Sequence, residues 1–246
     1  MALFIDLVSQ KGGVGKSTLA RLLAREYANS GWTVKIADMD VSQGTSCEWA
    51  RIRMDAGLSP EVAAEQFPRV DRALSQADQY DLVIFDGAPH STRDTLGIAK
   101  VSDLVILPTG FSLDDLKPTV RLAHELKQSG VPKERIVFTF TRAGDSTTEL
   151  QEAALYLEQT GYKLLPGYIP DRTAYRRASD TGRALTEMNF PSLNAKADAL
   201  VQSIGDCLTS LTNEGTDNGQ SVTTTTENEI RDREGNDRDG GGHVNG

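Results

Sequence analysis

Cysteine is scarce in this chain: 246 residues carry two, Cys47 and Cys207, and neither belongs to a C-x-x-C pair. That excludes a disulfide framework, an iron–sulfur cluster and a structural zinc site, and it suits a reducing cytoplasm. Long apolar runs are missing too, since nothing approaches the roughly 18 consecutive apolar residues that span a bilayer. Met1 leads straight into a strand-like stretch without a charged-then-apolar leader, so a soluble cytoplasmic protein is expected. No internal repeat is visible. The net charge of −9 speaks against nucleic acid only until it is divided along the chain. Residues 212–246 hold eight carboxylates and three arginines, a net of −5, which leaves −4 for the body and room for a local basic face.

What is present is organised around Gln10 to Leu19, Q-K-G-G-V-G-K-S-T-L. An apolar run, Leu3 to Val8, precedes it, and an amphipathic stripe of Leu19, Leu22, Leu23 and Tyr27 follows, which reads as strand, loop and helix. The run resembles the phosphate-loop pattern G-x-x-x-x-G-K-[ST], with Lys11 taken to stand where that pattern has its first glycine. Gly12, Gly13, Val14 and Gly15 let successive amides turn toward one point, and the positive end of the next helix adds to that field. Lys16 is placed to reach the β- and γ-phosphates and Ser17 to ligate Mg²⁺, so ATP and Mg²⁺ are the expected cofactors.

Beyond the loop, strands are expected at Thr33 to Ala37, Asp81 to Asp86, Leu104 to Leu107, Ile136 to Phe140 and Lys163 to Leu165. Helices are expected at Cys47 to Met54, Val70 to Ala77, Leu113 to Leu126, Glu149 to Glu158, Thr173 to Asp180 and Leu193 to Leu208. Glu61 to Phe67 reads equally as helix or strand. Continuous apolar strands alternating with helices predict an α/β fold, a single domain with a mostly parallel twisted sheet covered by helices on both faces. That domain is expected over 1–211, with 212–246 an acidic, Thr-, Gly- and Asn-rich disordered tail.

In such sheets ligands bind beyond the carboxyl ends of the strands, where Asp38, Asp40 and Asp86 fall. Asp86 has the placement of a metal-site carboxylate, and Asp38 is assigned to the metal with it. Asp40 is placed to position or activate the attacking water. Lys11, immediately before the glycine pair, does not fold back easily on its own loop's phosphates and is expected to serve a second subunit, as an arginine finger does.

The loop K-G-G-V-G-K-S-T, the pair Asp38-x-Asp40 followed by Gln43-Gly44, and the strand D-L-V-I-F-D-G-A-P resemble the deviant Walker A ATPases of the ParA/MinD superfamily, and within them the ParA partition ATPases. The resemblance runs from Ala2 to about Ser210. It implies a P-loop NTPase fold and an ATP-dependent sandwich homodimer in which Lys11 of each subunit meets the other's nucleotide. It further implies that Lys16, Ser17 and Thr18 bind phosphate and Mg²⁺, that Asp40 handles the water, that Asp86 supports the metal, and that Pro170 and Asp171 lie beside adenine. Two departures are evident: D-x-D-P-Q-G is one residue longer here, with Val41-Ser42 before Gln43, and D-x-P-P is replaced by D-G-A-P.

The C-terminal body supplies Arg172, Arg176, Arg177, Arg183 and Lys196, a modest basic patch that dimerisation would double. ParA-like proteins use this region to hold nucleoid DNA, and binding of that kind is mostly phosphate neutralisation. The resemblance therefore implies slow, partner-stimulated ATP hydrolysis, a ParB-like or cargo-adaptor partner, and a nucleoid-associated place in the cytoplasm. The cargo is a plasmid or chromosome, or alternatively a protein body such as a carboxysome or chemoreceptor cluster. A small-molecule ligase or kinase on the same fold is the reading from another class. A membrane-recruited MinD-type role is disfavoured because the chain ends in an acidic tail without an amphipathic basic helix. No helix-turn-helix is expected before Met1.

Overall fold

The computed structural model describes residues 2–87 and 93–234, with side chains described except at 93, 94 and 214–234. The elements run β1 (Leu3–Leu7), α1 (Lys16–Asn29), β2 (Val34–Asp38), α2 (Thr45–Asp55), β3 (Ala63–Gln66), α3 (Val70–Leu74), β4 (Leu82–Asp86), α4 (Arg93–Val101), β5 (Leu104–Thr109), α5 (Leu113–Gln128), β6 (Ile136–Ala143), α6 (Thr147–Gln159), β7 (Lys163–Pro170), α7 (Thr173–Asp180) and α8 (Pro191–Glu234). One compact unit extends to Asp206, and a second begins at Cys207 within α8.

The strands form one seven-stranded sheet in the order β3-β2-β4-β1-β5-β6-β7. Every neighbouring pair is parallel. β2, β4 and β5 are buried along their whole length, which is why their sequences are mostly apolar rather than alternating, with Lys35 the exception inside β2 and polar residues at the strand ends. Val83 and Phe85 of β4 join Ala37, Phe67 and Ile98 in one cluster. A second cluster joins Val105 and Phe138 to Leu122 and Leu126 of α5 and Leu157 of α6. On the other face α1 packs on β2 and β4, with Leu19, Leu22 and Leu23 fully buried.

The structure differs from the sequence reading in four places. Glu61 to Phe67 resolves as the edge strand β3, whose side chains are mostly exposed and so carry no apolar alternation. α4 falls where no element was expected; Gly97 lowers its helical propensity, and its packing rests on Ile98 and Ala99. β7 continues to Pro170, past Pro166 and Gly167, residues that read as breakers; a register shift against β6 between Phe138 and Phe140 accommodates them. Finally, α8 is helical as far as Glu234, where a tail without regular structure was expected from Thr212. Extending an existing helix gains a hydrogen bond per residue without new nucleation, so polar composition alone does not end it.

A buried ion pair ties α2 to the segment between α7 and α8. Arg53, 1% exposed, pairs with Glu187 through Nη1–Oε2 at 2.7 Å and Nη2–Oε1 at 3.0 Å. Its Nε donates to the Pro60 carbonyl at 2.8 Å and Nη1 also to the Gly182 carbonyl at 3.1 Å. Removing one partner of such a pair strands a buried charge, so Glu187→Ala is expected to lower the unfolding free energy by about 3–5 kcal/mol, measured by denaturant titration.

Candidate functional site

The loop between β1 and α1 has the conformation its glycines permit. Gly13 has φ 75° and Gly15 φ 98°, and Gly15 is the left-handed residue on which α1 begins, a conformation that costs any side-chain-bearing residue energy. Counted back from Gly15, the first-glycine position of the phosphate-loop pattern falls on Gln10, and Lys11 is the residue after it. The end of β6 braces the loop: Thr141 Oγ1 donates to the Val14 carbonyl at 2.5 Å, and Arg142 Nη1 donates to the Gly13 carbonyl.

Lys16, the first residue of α1, is 7% exposed, and its Nζ lies 3.5 Å from the Lys11 carbonyl. Burial pushes its pKa down, while Asp86, Asp40 and Asp6 pull it back up. At the next position the Ser17 hydroxyl accepts from Thr45 Oγ1 at 3.2 Å. Asp86 is 2% exposed; Ser46 Oγ donates to its Oδ2 at 2.7 Å, while its Oδ1 is buried with no protein partner. Burial raises the Asp86 carboxyl to about 6 against the opposing pull of Ser46 and Ser17.

Asp38 and Asp86 are register neighbours on β2 and β4, yet they do different work. Asp38 Oδ1 accepts from the Asp40 amide at 3.1 Å and Oδ2 from the Ser46 amide at 3.0 Å. Both oxygens are engaged, so Asp38, assigned to the metal from sequence, here braces the turn after β2 and the start of α2. Asp40 lies past the end of β2, where its Oδ1 accepts from the Ser42 amide, the Ser42 hydroxyl and the Gln43 amide. That arrangement seats the extra residue of the loop. At Gly87 an added Cβ would stand 2.7 Å from the Leu7 carbonyl, so the D-G step has steric cause; Ala88 and Pro89 lie outside the described residues.

These elements frame a cleft of about 240 Å³ lined by Gly12, Gly13, Lys16, Ser17, Thr18 and Asp40. Arg21, Gln43, Thr45 and Arg142 also line it and were missed in the sequence. Beside it a hollow of about 320 Å³ is bordered by Gly15, Thr18, Pro170 and Asp171, which brings the expected adenine-side residues to the phosphate loop. Amides, an ammonium and a hydroxyl at a helix N-terminus fit a nucleoside polyphosphate. Among the described residues no three His, Cys, Asp or Glu side chains gather as a metal cage. The open donors instead suit Mg²⁺ held by Ser17, the free Asp86 oxygen through water, and the nucleotide's own phosphates.

Lys11 does not line this cleft. Its side chain is 43% exposed, and Nζ pairs with Asp115 Oδ1 of α5 at 2.8 Å. Four of the five expected DNA contacts border two different hollows. Arg172 pairs with Asp145 and Arg176 with Asp171, and both border the base-side hollow. Arg177 and Arg183 border a separate hollow beyond α7, while Lys196 donates to Tyr168 Oη at 3.2 Å and covers its ring.

Residues 5–185 match the family described as the CobQ/CobB/MinD/ParA nucleotide binding domain. The chain belongs to that family. It is 28% identical over 184 residues to the maintenance of carboxysome distribution protein A of Gloeobacter kilaueensis, covering 74% of this chain and 83% of that protein. To the chromosome-partitioning ATPase Soj of Thermus thermophilus it is 24% identical over 217 residues, covering 74% and 87%. Among solved structures, the Pyrococcus furiosus cell division ATPase MinD superposes with a TM-score of 0.68 at 20% identity, covering 84% of this chain and 99% of that one. MinD of Pyrococcus horikoshii, solved with Mg-ADP, superposes at 0.66 with 19% identity, covering 83% and 96%. Cobyrinic acid a,c-diamide synthase of Mycobacterium smegmatis, with ADP and magnesium, superposes at 0.53 with 18% identity, covering 75% and 98%.

Within this ParA/MinD-type domain one acid stands out that the sequence reading did not single out. Asp6 of β1 is 1% exposed, and its Oδ2 has no partner. Burial pushes its carboxyl up to about 8, with Lys16 opposing. The folded state therefore keeps a proton that the unfolded chain releases near the ordinary value of about 3.9, and stability falls as pH rises between these values. Asp6→Asn is expected to gain thermal stability over the parent progressively from about pH 5 to pH 8. A melting-temperature difference that stays constant across that range contradicts this.

Proposed function

We propose that this protein is a nucleotide-switched positioning ATPase. MgATP occupies the cleft at Gly12 to Thr18, and two chains close around two nucleotides; Mg²⁺ and Lys16 offset the phosphate charge. Thr18 holds phosphate, Asp40 orients the attacking water, and Asp86 steadies the metal. Lys11 of each chain, released from Asp115, meets the nucleotide of the other and stabilises charge developing in phosphoryl transfer. The observation that carries this reading is the placement of Lys11, which lies outside its own phosphate cleft and at the surface. A cation needed only in its own site has no reason to stand there.

The closed dimer binds DNA weakly and without sequence preference, chiefly through Arg177 and Arg183, which have fewer competing carboxylates than Arg172 and Arg176. A ParB-like or adaptor protein on the cargo stimulates hydrolysis and returns the chains to monomers. The likeness to the carboxysome-distribution and chromosome-partitioning proteins supports a positioned cargo, either a protein body or DNA. Among the described residues no helix is long and apolar enough to cross a membrane, in keeping with action on the nucleoid.

Light scattering with and without MgATP tests the switch, and the expected result is a doubling of mass that Lys11→Ala abolishes. In gel shifts, DNA binding is expected only with ATP and to weaken steeply between about 50 and 200 mM salt. Arg177→Glu combined with Arg183→Glu should lose the shift and keep the dimer. ATP turnover by a monomer, without DNA or partner, would favour a small-molecule ligase instead.

A further inference from the structure

Arg142 combines three features that its place in the sequence does not explain. It is alone among the described non-glycine residues in having a positive φ, 51°. It sits at the end of β6 where the register against β7 shifts between Thr141 and Ala143. And its exposed side chain turns back over the phosphate loop, where Nη1 donates to the Gly13 carbonyl. Left-handed backbone is costly for a side-chain-bearing residue and free for glycine, and such strain gathers where a side chain has a task. Neighbouring Thr141 already ties the loop to β6 through the Val14 carbonyl, so a second brace is not what the strained residue is needed for.

Position and chemistry indicate the task. Arg142 lines both the phosphate cleft and the base-side hollow, so it stands at the junction where a nucleotide spanning them carries its phosphates. A guanidinium has five donors in a planar fork that matches phosphate oxygens. One is spent on Gly13, and none of the ion pairs among the described residues involves Arg142. We propose that Arg142 is a nucleotide-binding residue that clamps the phosphates of a nucleoside di- or triphosphate from the β6 side, opposite Lys16. The proposal rests on the nucleotide-binding reading of the cleft and adds to it a cation supplied by the same chain.

The test compares wild type, Arg142→Gly and Arg142→Gln for binding of MgADP and of adenosine by calorimetry, with melting curves in the absence of nucleotide. Arg142→Gly removes the side chain and suits the backbone, so its melting temperature is expected to equal or exceed that of wild type. For both variants the Kd for MgADP is expected to rise about tenfold, which corresponds to ~1.4 kcal/mol, while the Kd for adenosine changes less than twofold. A MgADP Kd within twofold of wild type overturns the proposal. Equal weakening of MgADP and adenosine overturns it too, because that is the mark of a structural brace. If wild type binds adenosine and MgADP equally well, or neither, the phosphate-site reading falls together with the proposal.

Discussion

Burying charge at the carboxyl ends of neighbouring parallel strands is the constraint on which the rest of this structure depends. Asp6, Asp38, Asp86 and Lys16 are all nearly inaccessible to water around the end of β1. Asp6 and Asp86 act on the Lys16 ammonium and Asp38 and Asp86 on the Arg21 guanidinium, and three carboxylates packed this closely cannot all ionise freely in a medium that solvates them poorly. The protein resolves this differently for each. Asp38 is satisfied by backbone amides, Asp86 takes the Ser46 hydroxyl on one oxygen and has the other left over, and Asp6 keeps its proton at neutral pH. The leftover Asp86 oxygen and the partly compensated Lys16 are the groups that a magnesium–phosphate ligand would satisfy. Affinity here is thus the counterpart of an electrostatic debt that folding leaves open.

The surrounding elements keep that cluster in place. Ser46 serves two carboxylates at once, its amide bonding Asp38 and its hydroxyl Asp86, so the position of α2 sets the geometry of both. α2 is in turn fixed from its far end by Arg53 and Glu187. On the opposite side α5 holds the start of the loop, with Asp115 on Lys11 and Glu125 accepting from Gln10 Nε2 at 3.4 Å. Two helices therefore grip the loop's approaches from either side of the sheet, while the end of β6 grips its middle.

Much of this was legible in the sequence, for reasons that differ by element. Buried parallel strands are mostly apolar, and β2, β4 and β5 were readable as such; the phosphate loop was readable from its glycines followed by Lys-Ser between a strand and a helix. The edge strand β3 was ambiguous because an exposed edge imposes no apolar pattern, and α4 was hidden by Gly97. Lys16, Ser17 and Asp86 were singled out by their places at the loop and the strand end, and the structure sets Lys16 and Ser17 on the cleft wall and Asp86 beside the Ser46 hydroxyl. A strand-end carboxylate such as Asp38 reads the same in sequence whether it meets a metal or, as its oxygens do here, backbone amides. Ser46, Asp115, Thr141 and Arg142 were missed because they reach the site across the fold rather than along the chain. Composition shows the arginines of the basic patch but not the carboxylates that Arg172 and Arg176 face.

The central claim is that this charged cluster is completed by a magnesium nucleotide. Thermal unfolding with ADP in the presence of Mg²⁺ or of EDTA tests it most directly. A ligand at about 100 times its Kd stabilises the folded state by ~2.7 kcal/mol, so MgADP should raise the melting temperature by several degrees in wild type, EDTA should remove most of that gain, and Asp86→Asn should lose the dependence on Mg²⁺. A melting temperature that ADP leaves unchanged, or raises equally with and without Mg²⁺, would contradict the account.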